Sequence, residues 1–231
     1  MMNELILQAH NLFKNCGFPY YICGGFALEL FACKTMRTHS DLDVSVFQEN
    51  KRDVVELLQK NGFAVYKRIF EPQSLGGVTP IADENDSKLD DIRIIWAIKG
   101  DCQFALKPRE GAIDFYGFEI LSNTQTDFSF IEIVLDEKNS HHFLLGKDKR
   151  ILRKLDKAIL FNDCGVPYMA PEVVLFLKSS KAYTTHEIHA NKTPADFKAI
   201  MPLLSTESKA WLINAINATY PDGYEWLDGL L

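Results

Sequence analysis

Apolar side chains recur at Leu5, Ile6, Ala9, Leu12 and Phe13. That spacing places them on one face of a helix over residues 3–14. Asn15-Cys16-Gly17 is its predicted stop, with Pro19 just beyond. Residues 20–23 are an uninterrupted apolar run, short enough for a buried strand. Gly24-Gly25 turns the chain, and residues 26–33 read as a second helix. Residues 42–47 alternate into a strand. Residues 51–60 form an amphipathic helix closed by Asn61-Gly62 in the left-handed region.

Residues 71–91 carry Pro72, Gly76, Gly77, Pro80 and six acidic residues, and are expected to be a long polar connection. Strand-like runs follow at 92–98, 112–121, 128–135 and around 142–145, a density that predicts a mixed sheet. The pattern then turns helical. Pro171 marks a helix start for residues 172–183, and further helices are expected at 194–204 and 206–218. The last has Ser205 as its N-cap and Glu207 in its first turn. The expected organisation is an α/β (α+β) catalytic domain over residues 1–165 and a small helical domain over 166–231.

Composition narrows the class. The chain has 231 residues, 47% hydrophobic and 24% charged, as in an ordinary globular protein. The net charge of −6 argues against sequence-independent binding to nucleic acid, which needs a basic surface. It favours a cationic small acceptor over an anionic one. Cys16, Cys23, Cys33, Cys102 and Cys164 are odd in number and scattered, which fits reduced thiols. No apolar run is long enough to span a bilayer, and the N-terminal residues lack the features of a secretion signal. The expectation is a cytoplasmic protein, monomer or homodimer, that does not engage a membrane.

The chemistry concentrates between residues 23 and 46. If residues 41–47 are extended, Asp41 and Asp43 point to one face, roughly 6.6 Å apart along the strand. Two carboxylates so placed can share metal ions about 3.5–4 Å apart. Mg²⁺ suits them, because it takes oxygen ligands and combines one or two carboxylates with substrate phosphates. Gly24 and Gly25 allow a phosphate to approach the backbone at a helix N-terminus. Arg37 and His39 alternate with the two aspartates, and each can contact a phosphate oxygen. Lys178 is a further candidate for a nucleotide phosphate, against the reading of a solvated helix face. His141-His142, and His186 with His189, lack the further ligands of a zinc site. Tyr220, Tyr224 and Trp226 line an acceptor pocket or close a core.

The segment with Gly24-Gly25-Phe26-Ala27 and Arg37-Thr38-His39-Ser40-Asp41-Leu42-Asp43 resembles the nucleotidyltransferase superfamily that includes DNA polymerase beta. It is most similar to the bacterial nucleotidyltransferases that act on aminoglycosides and lincosamides. The block at residues 166–172 and the segment from Ala195-Asp196-Phe197 to Trp211-Leu212 resemble their uncharacterised relatives. The resemblance implies a twisted mixed sheet flanked by helices, with a helical C-terminal part. It implies an NTP co-substrate, with ATP favoured, two Mg²⁺ ions, and transfer of NMP to a hydroxyl of a small acceptor with release of pyrophosphate. It further implies a third carboxylate from a later strand, as metal ligand or base. Glu132 matches best, and Asp114 is its rival. The alternatives are a protein or tRNA acceptor, or a nucleotide-binding protein that keeps the fold without catalysis.

Overall fold

A computed structural model of the protein describes residues 2–71, 74–111, 113–146, 148–179 and 192–223. The chain divides into two compact units, residues 1–22 with 37–136, and residues 23–36 with 137–231.

The first unit opens with α1 (Glu4–Phe13), capped by the Asn3 side chain, which accepts from the Leu5 amide at 2.9 Å. Leu5, Ile6, Ala9 and Phe13 are buried, as the periodicity predicts. Then come β1 (Tyr20–Ile22), β2 (Asp43–Phe47), α3 (Lys51–Lys60), β3 (Ala64–Glu71), β4 (Ser74–Pro80), β5 (Ile94–Ile98), β6 (Phe104–Pro108), β7 (Tyr116–Ile120) and β8 (Phe130–Lys138). Their order in the sheet is β1-β2-β8-β5-β3-β4-β7-β6. β2 and β8 run parallel and the other pairs antiparallel. The mixed sheet is therefore as expected. α3 buries Val54, Val55 and Leu58, and ends at Gly62 with φ +81°.

Three strands of this unit escaped the hydrophobic pattern: β3, β4 and β6. Residues 74–80 are not part of a polar connection but a strand, β4, hairpin-paired with β3. Its glycines disguise it. A Cβ on Gly77 would sit 2.5 Å from the Phe115 ring and the Tyr116 carbonyl, so the close approach of β7 requires glycine there. β6 was hidden by its Lys107-Pro108 end, which suits an edge strand. The expected strand at 112–121 shortens to β7; Ala112 lies outside the described residues.

The sheet of this unit curls over on itself. Phe104 of edge strand β6 stacks on Trp96 of β5 with ring centroids 4.7 Å apart, although β3, β4 and β7 separate them in strand order. Phe118 and Phe130 complete the packing around the Trp96 ring, at 4.8 and 5.2 Å. With Val78 they form an aromatic core on the inner face of the curl.

The second unit contains α2 (Gly24–Ala32), β9 (His142–Leu144), β10 (Leu152–Lys154), α4 (Leu155–Ala158), β11 (Ile159–Phe161), β12 (Pro167–Met169), α5 (Pro171–Lys178), α6 (Lys192–Ile200) and α7 (Thr206–Thr219). β9 pairs with β10 and β11 with β12, both antiparallel. α5 is buried from Pro171 to Phe176 and packs against α2, α6 and α7. Ser205 caps α7 as expected, accepting from the Ser208 amide at 3.1 Å. The expected extension of α5 to residue 183, and His186, His189, Tyr224 and Trp226, lie outside the described residues. Among the described residues, no helix is long and apolar enough to cross a membrane.

Candidate active site

β2 begins at Asp43, not at Asp41. Residues 37–42 are held by other means than a strand ladder. The His39 carbonyl accepts from the Gln125 amide at 2.8 Å, and the Ser40 carbonyl accepts from the Gln103 side chain at 2.7 Å. Gln103 and Gln125 are both buried, and Gln125 also donates to the carbonyls of Asp127 and Phe130. The Gln103 side chain and the Gln125 backbone N–H thus tie down the motif loop. No sequence pattern marks them, because their partners are backbone carbonyls.

The ladder resumes at Leu42, whose carbonyl accepts from the Glu132 amide at 3.0 Å. Asp43 and Glu132 are then register partners on the parallel strands β2 and β8. Cross-strand partners point to the same face. The structure thus brings together the motif aspartate and the carboxylate that the resemblance singled out. Asp114, the rival, is exposed in the turn before β7 at φ +54°. Four strands lie between β7 and β2.

Electrostatics add the second aspartate. The Glu132 carboxyl is pushed up from its ordinary 4.5 to about 7. Burial is the largest cause, and the charge of Asp41 is the next. Two groups pull the other way: the Trp96 indole, whose Nε1–H donates to Glu132 Oε2 at 2.7 Å, and the Arg68 guanidinium. Arg68 is itself pulled down by burial and held up by Glu132. It stacks over the rings of Phe70, Trp96 and Phe118 at 4.7 to 5.1 Å. The sequence carried no sign of either partner, since strand pairing alone sets Trp96 beside Glu132, with Arg68 on the next strand, β3.

Arg37 and His39 also meet. Arg37 Nη1 lies 3.2 Å from His39 Nδ1 and donates to the Thr38 carbonyl at 3.2 Å. A guanidinium has only donors, so Nδ1 of His39 is the acceptor and the ring's other nitrogen is left to carry the proton. Gly24 and Gly25 open α2 in the second unit, with Gly24 at φ +60° and no side-chain cap from Cys23. Lys178 ends α5, and its ammonium is 3.0 Å from the buried Asp196 of α6. His142 begins β9, with His141 just before it.

A divalent cation suits the donor set of the first unit. Asp41, Asp43 and Glu132 offer hard carboxylate oxygens, and Asp41 repels Glu132 in a way that a cation would relieve. Among the described residues, no group of three or more His, Cys, Asp or Glu side chains converges on one point. A site that takes part of its ligands from a substrate polyphosphate does not need that convergence.

Residues 5–73 match the family model for aminoglycoside-2''-adenylyltransferase. No curated protein matches the chain. Among solved structures, the chain is similar to the lincosamide antibiotic adenylyltransferase LnuA in its lincomycin-bound form. Identity is 12% and the TM-score 0.53, over 87% of this chain and 98% of that one. It is also similar to ANT(2")-Ia in complex with adenylyl-2"-tobramycin, at 10% identity and a TM-score of 0.51. That likeness covers 94% of this chain and 99% of the other. The fold is the nucleotidyltransferase fold, as the motif implies. The family model covers residues 5–73 alone, and the likeness to the two solved structures is one of fold.

Proposed function

We propose that this protein is a nucleotidyltransferase that moves AMP from ATP to a hydroxyl of a small, cationic, antibiotic-like acceptor. The observation that carries this reading is the register pairing of Asp43 with Glu132, next to the charge of Asp41. Asp41, Asp43 and Glu132 would hold Mg²⁺. When bound, the metal would neutralise triphosphate charge and make the leaving pyrophosphate a better leaving group.

In the reaction, the acceptor oxygen bonds to the α-phosphorus while the bond to the bridging α,β-oxygen breaks, and pyrophosphate departs. The proton of the acceptor hydroxyl has to leave as its oxygen attacks. Glu132, the carboxylate in register with Asp43, is the candidate to accept it. Arg37 and His39 would meet the triphosphate. Gly24 and Gly25 keep the phosphate-contacting role that the resemblance implies. The Lys178 ammonium is engaged by Asp196, which supports a role in holding α5 to α6 over one in nucleotide contact. Most of the rate would come from positioning and electrostatics.

The test is transfer of label from each α-labelled NTP to a panel of aminoglycosides, lincosamides and cell metabolites. The expected result is Mg²⁺-dependent transfer from ATP, with one pyrophosphate released per label moved. Absence of transfer from all four NTPs, with no Mg²⁺-dependent thermal stabilisation at millimolar NTP, would overturn the reading in favour of a non-catalytic protein.

A further inference from the structure

The partner of Glu132 is an indole, and its setting is more constrained than a core tryptophan requires. Trp96 is the antiparallel register partner of Glu132, as Asp43 is the parallel one on the other side. The carboxylate therefore stands in one row between an aspartate and an indole. The Trp96 ring is 4% exposed. It is clamped by Phe104, Phe118 and Phe130, with the Arg68 guanidinium 5.1 Å from its centroid. It has no room to turn, so its N–H stays aimed at Glu132 Oε2, 2.7 Å away. Among the described residues, Oε1 accepts no hydrogen bond.

We propose that Trp96 is a positioning residue: it ties down one oxygen of Glu132 and leaves Oε1 alone to serve a metal ion or an acceptor hydroxyl. A carboxylate on a strand has a broad terminal torsion and turns easily. The charge of Asp41 drives it away from the aspartates and toward the indole, and the hydrogen bond fixes which oxygen is turned that way. A neutral donor does this without cancelling the carboxylate's charge, which a lysine or arginine in direct contact would do. The packed rings thereby act on the site through one hydrogen bond. The alternative is that the bond merely satisfies a buried indole N–H.

The proposal rests on the role given to Glu132 above, and its test does not need a working reaction. Protein labelled with ¹⁵N at the indoles carries three such resonances, from Trp96, Trp211 and Trp226. The one missing in Trp96→Phe is assigned to Trp96. It is expected to move in Glu132→Ala, and to broaden in the wild type when Mn²⁺ is added. Trp96→Phe is expected to weaken Mn²⁺ binding about 10–100-fold, the usual cost of losing a partner that orients a metal ligand. The melting curve of that variant checks that it is folded. If it is not, the resonance in Glu132→Ala and its response to Mn²⁺ decide alone. A Trp96 resonance unmoved by Glu132→Ala or by Mn²⁺, or a folded Trp96→Phe with wild-type Mn²⁺ affinity, would overturn the proposal. Absent NMP transfer with these signatures intact would sink only the reading of the reaction.

Discussion

Glu132 and Glu172 are both acids in crowded surroundings, one in each unit, and the protein treats them in opposite ways. Glu172 is 2% exposed and accepts from Arg153 Nη2 at 2.6 Å. Arg153 is 7% exposed, stacks over the Trp211 ring at 5.1 Å and reaches Glu207 at 3.5 Å. That acid is neutralised by a full charge, as a buried carboxylate in a structural role has to be. Glu132 receives only a neutral N–H in direct contact, and it stands where Asp41 repels it. Nothing in folding requires such an arrangement. A carboxylate left under repulsion is a cation or proton site waiting for its partner, whereas a carboxylate closed by arginine is finished.

Three experiments probe this difference. The largest effect is expected from Asp43→Asn in the first unit. It removes one charge from the row and should lower NMP transfer by at least about 10³-fold, comparable to deleting a major electrostatic stabiliser. Single-turnover transfer of label measures it, and a rate within threefold of wild type would detach Asp43 from the chemistry.

In the second unit the order reverses. Arg153→Met leaves Glu172 buried without its counter-charge and should cost about 3–5 kcal/mol of stability. The double variant Arg153→Met with Glu172→Leu should recover most of that loss, because it removes the stranded charge. Urea unfolding of the three proteins measures this. A loss below about 1 kcal/mol in the single variant would mean that the pair is solvated, as surface pairs are.

The smallest effect concerns pH. Without metal, Glu132 holds its proton up to about 7 in the folded state, against 4.5 ordinarily. Between those values the folded protein binds more protons than the unfolded chain, so stability declines as pH rises. This contribution is fully retained below pH 4.5 and lost once pH exceeds 7. The whole change is on the order of 3 kcal/mol, from the difference of the two values at about 1.4 kcal/mol each unit. Glu132→Gln should flatten it. Melts of chelator-treated protein across pH 4–8 check the sign, and an equal slope in wild type and variant would place the titration elsewhere.

Much of this architecture could be read along the chain. Helices α1 and α3 follow from their apolar spacing, and the end of α3 from Asn61-Gly62, because caps and periodicity are local. β2 and β8 follow from short apolar alternation. β4 and β6 did not, since a glycine-rich strand and an edge strand look like loops until a neighbour is laid against them. The motif placed Asp41 on the strand, but long-range bonds from Gln103 and Gln125 fix it one step before the ladder begins.

The same division runs through the site. Residue types and order are local facts, and they alone identified Asp41, Asp43, Arg37, His39 and the glycine pair as a phosphate-transfer pattern. The resemblance carried by that motif then implied a third carboxylate, with Glu132 as its best match and Asp114 as its rival. What no local pattern contains is register. Only strand pairing makes Asp43 and Trp96 the two neighbours of Glu132, and only the curl of the sheet packs the rings that hold the indole still. The physical reason is that a carboxylate's role depends on what lies within a few ångströms of it, and on a sheet those neighbours are tens of residues away in sequence.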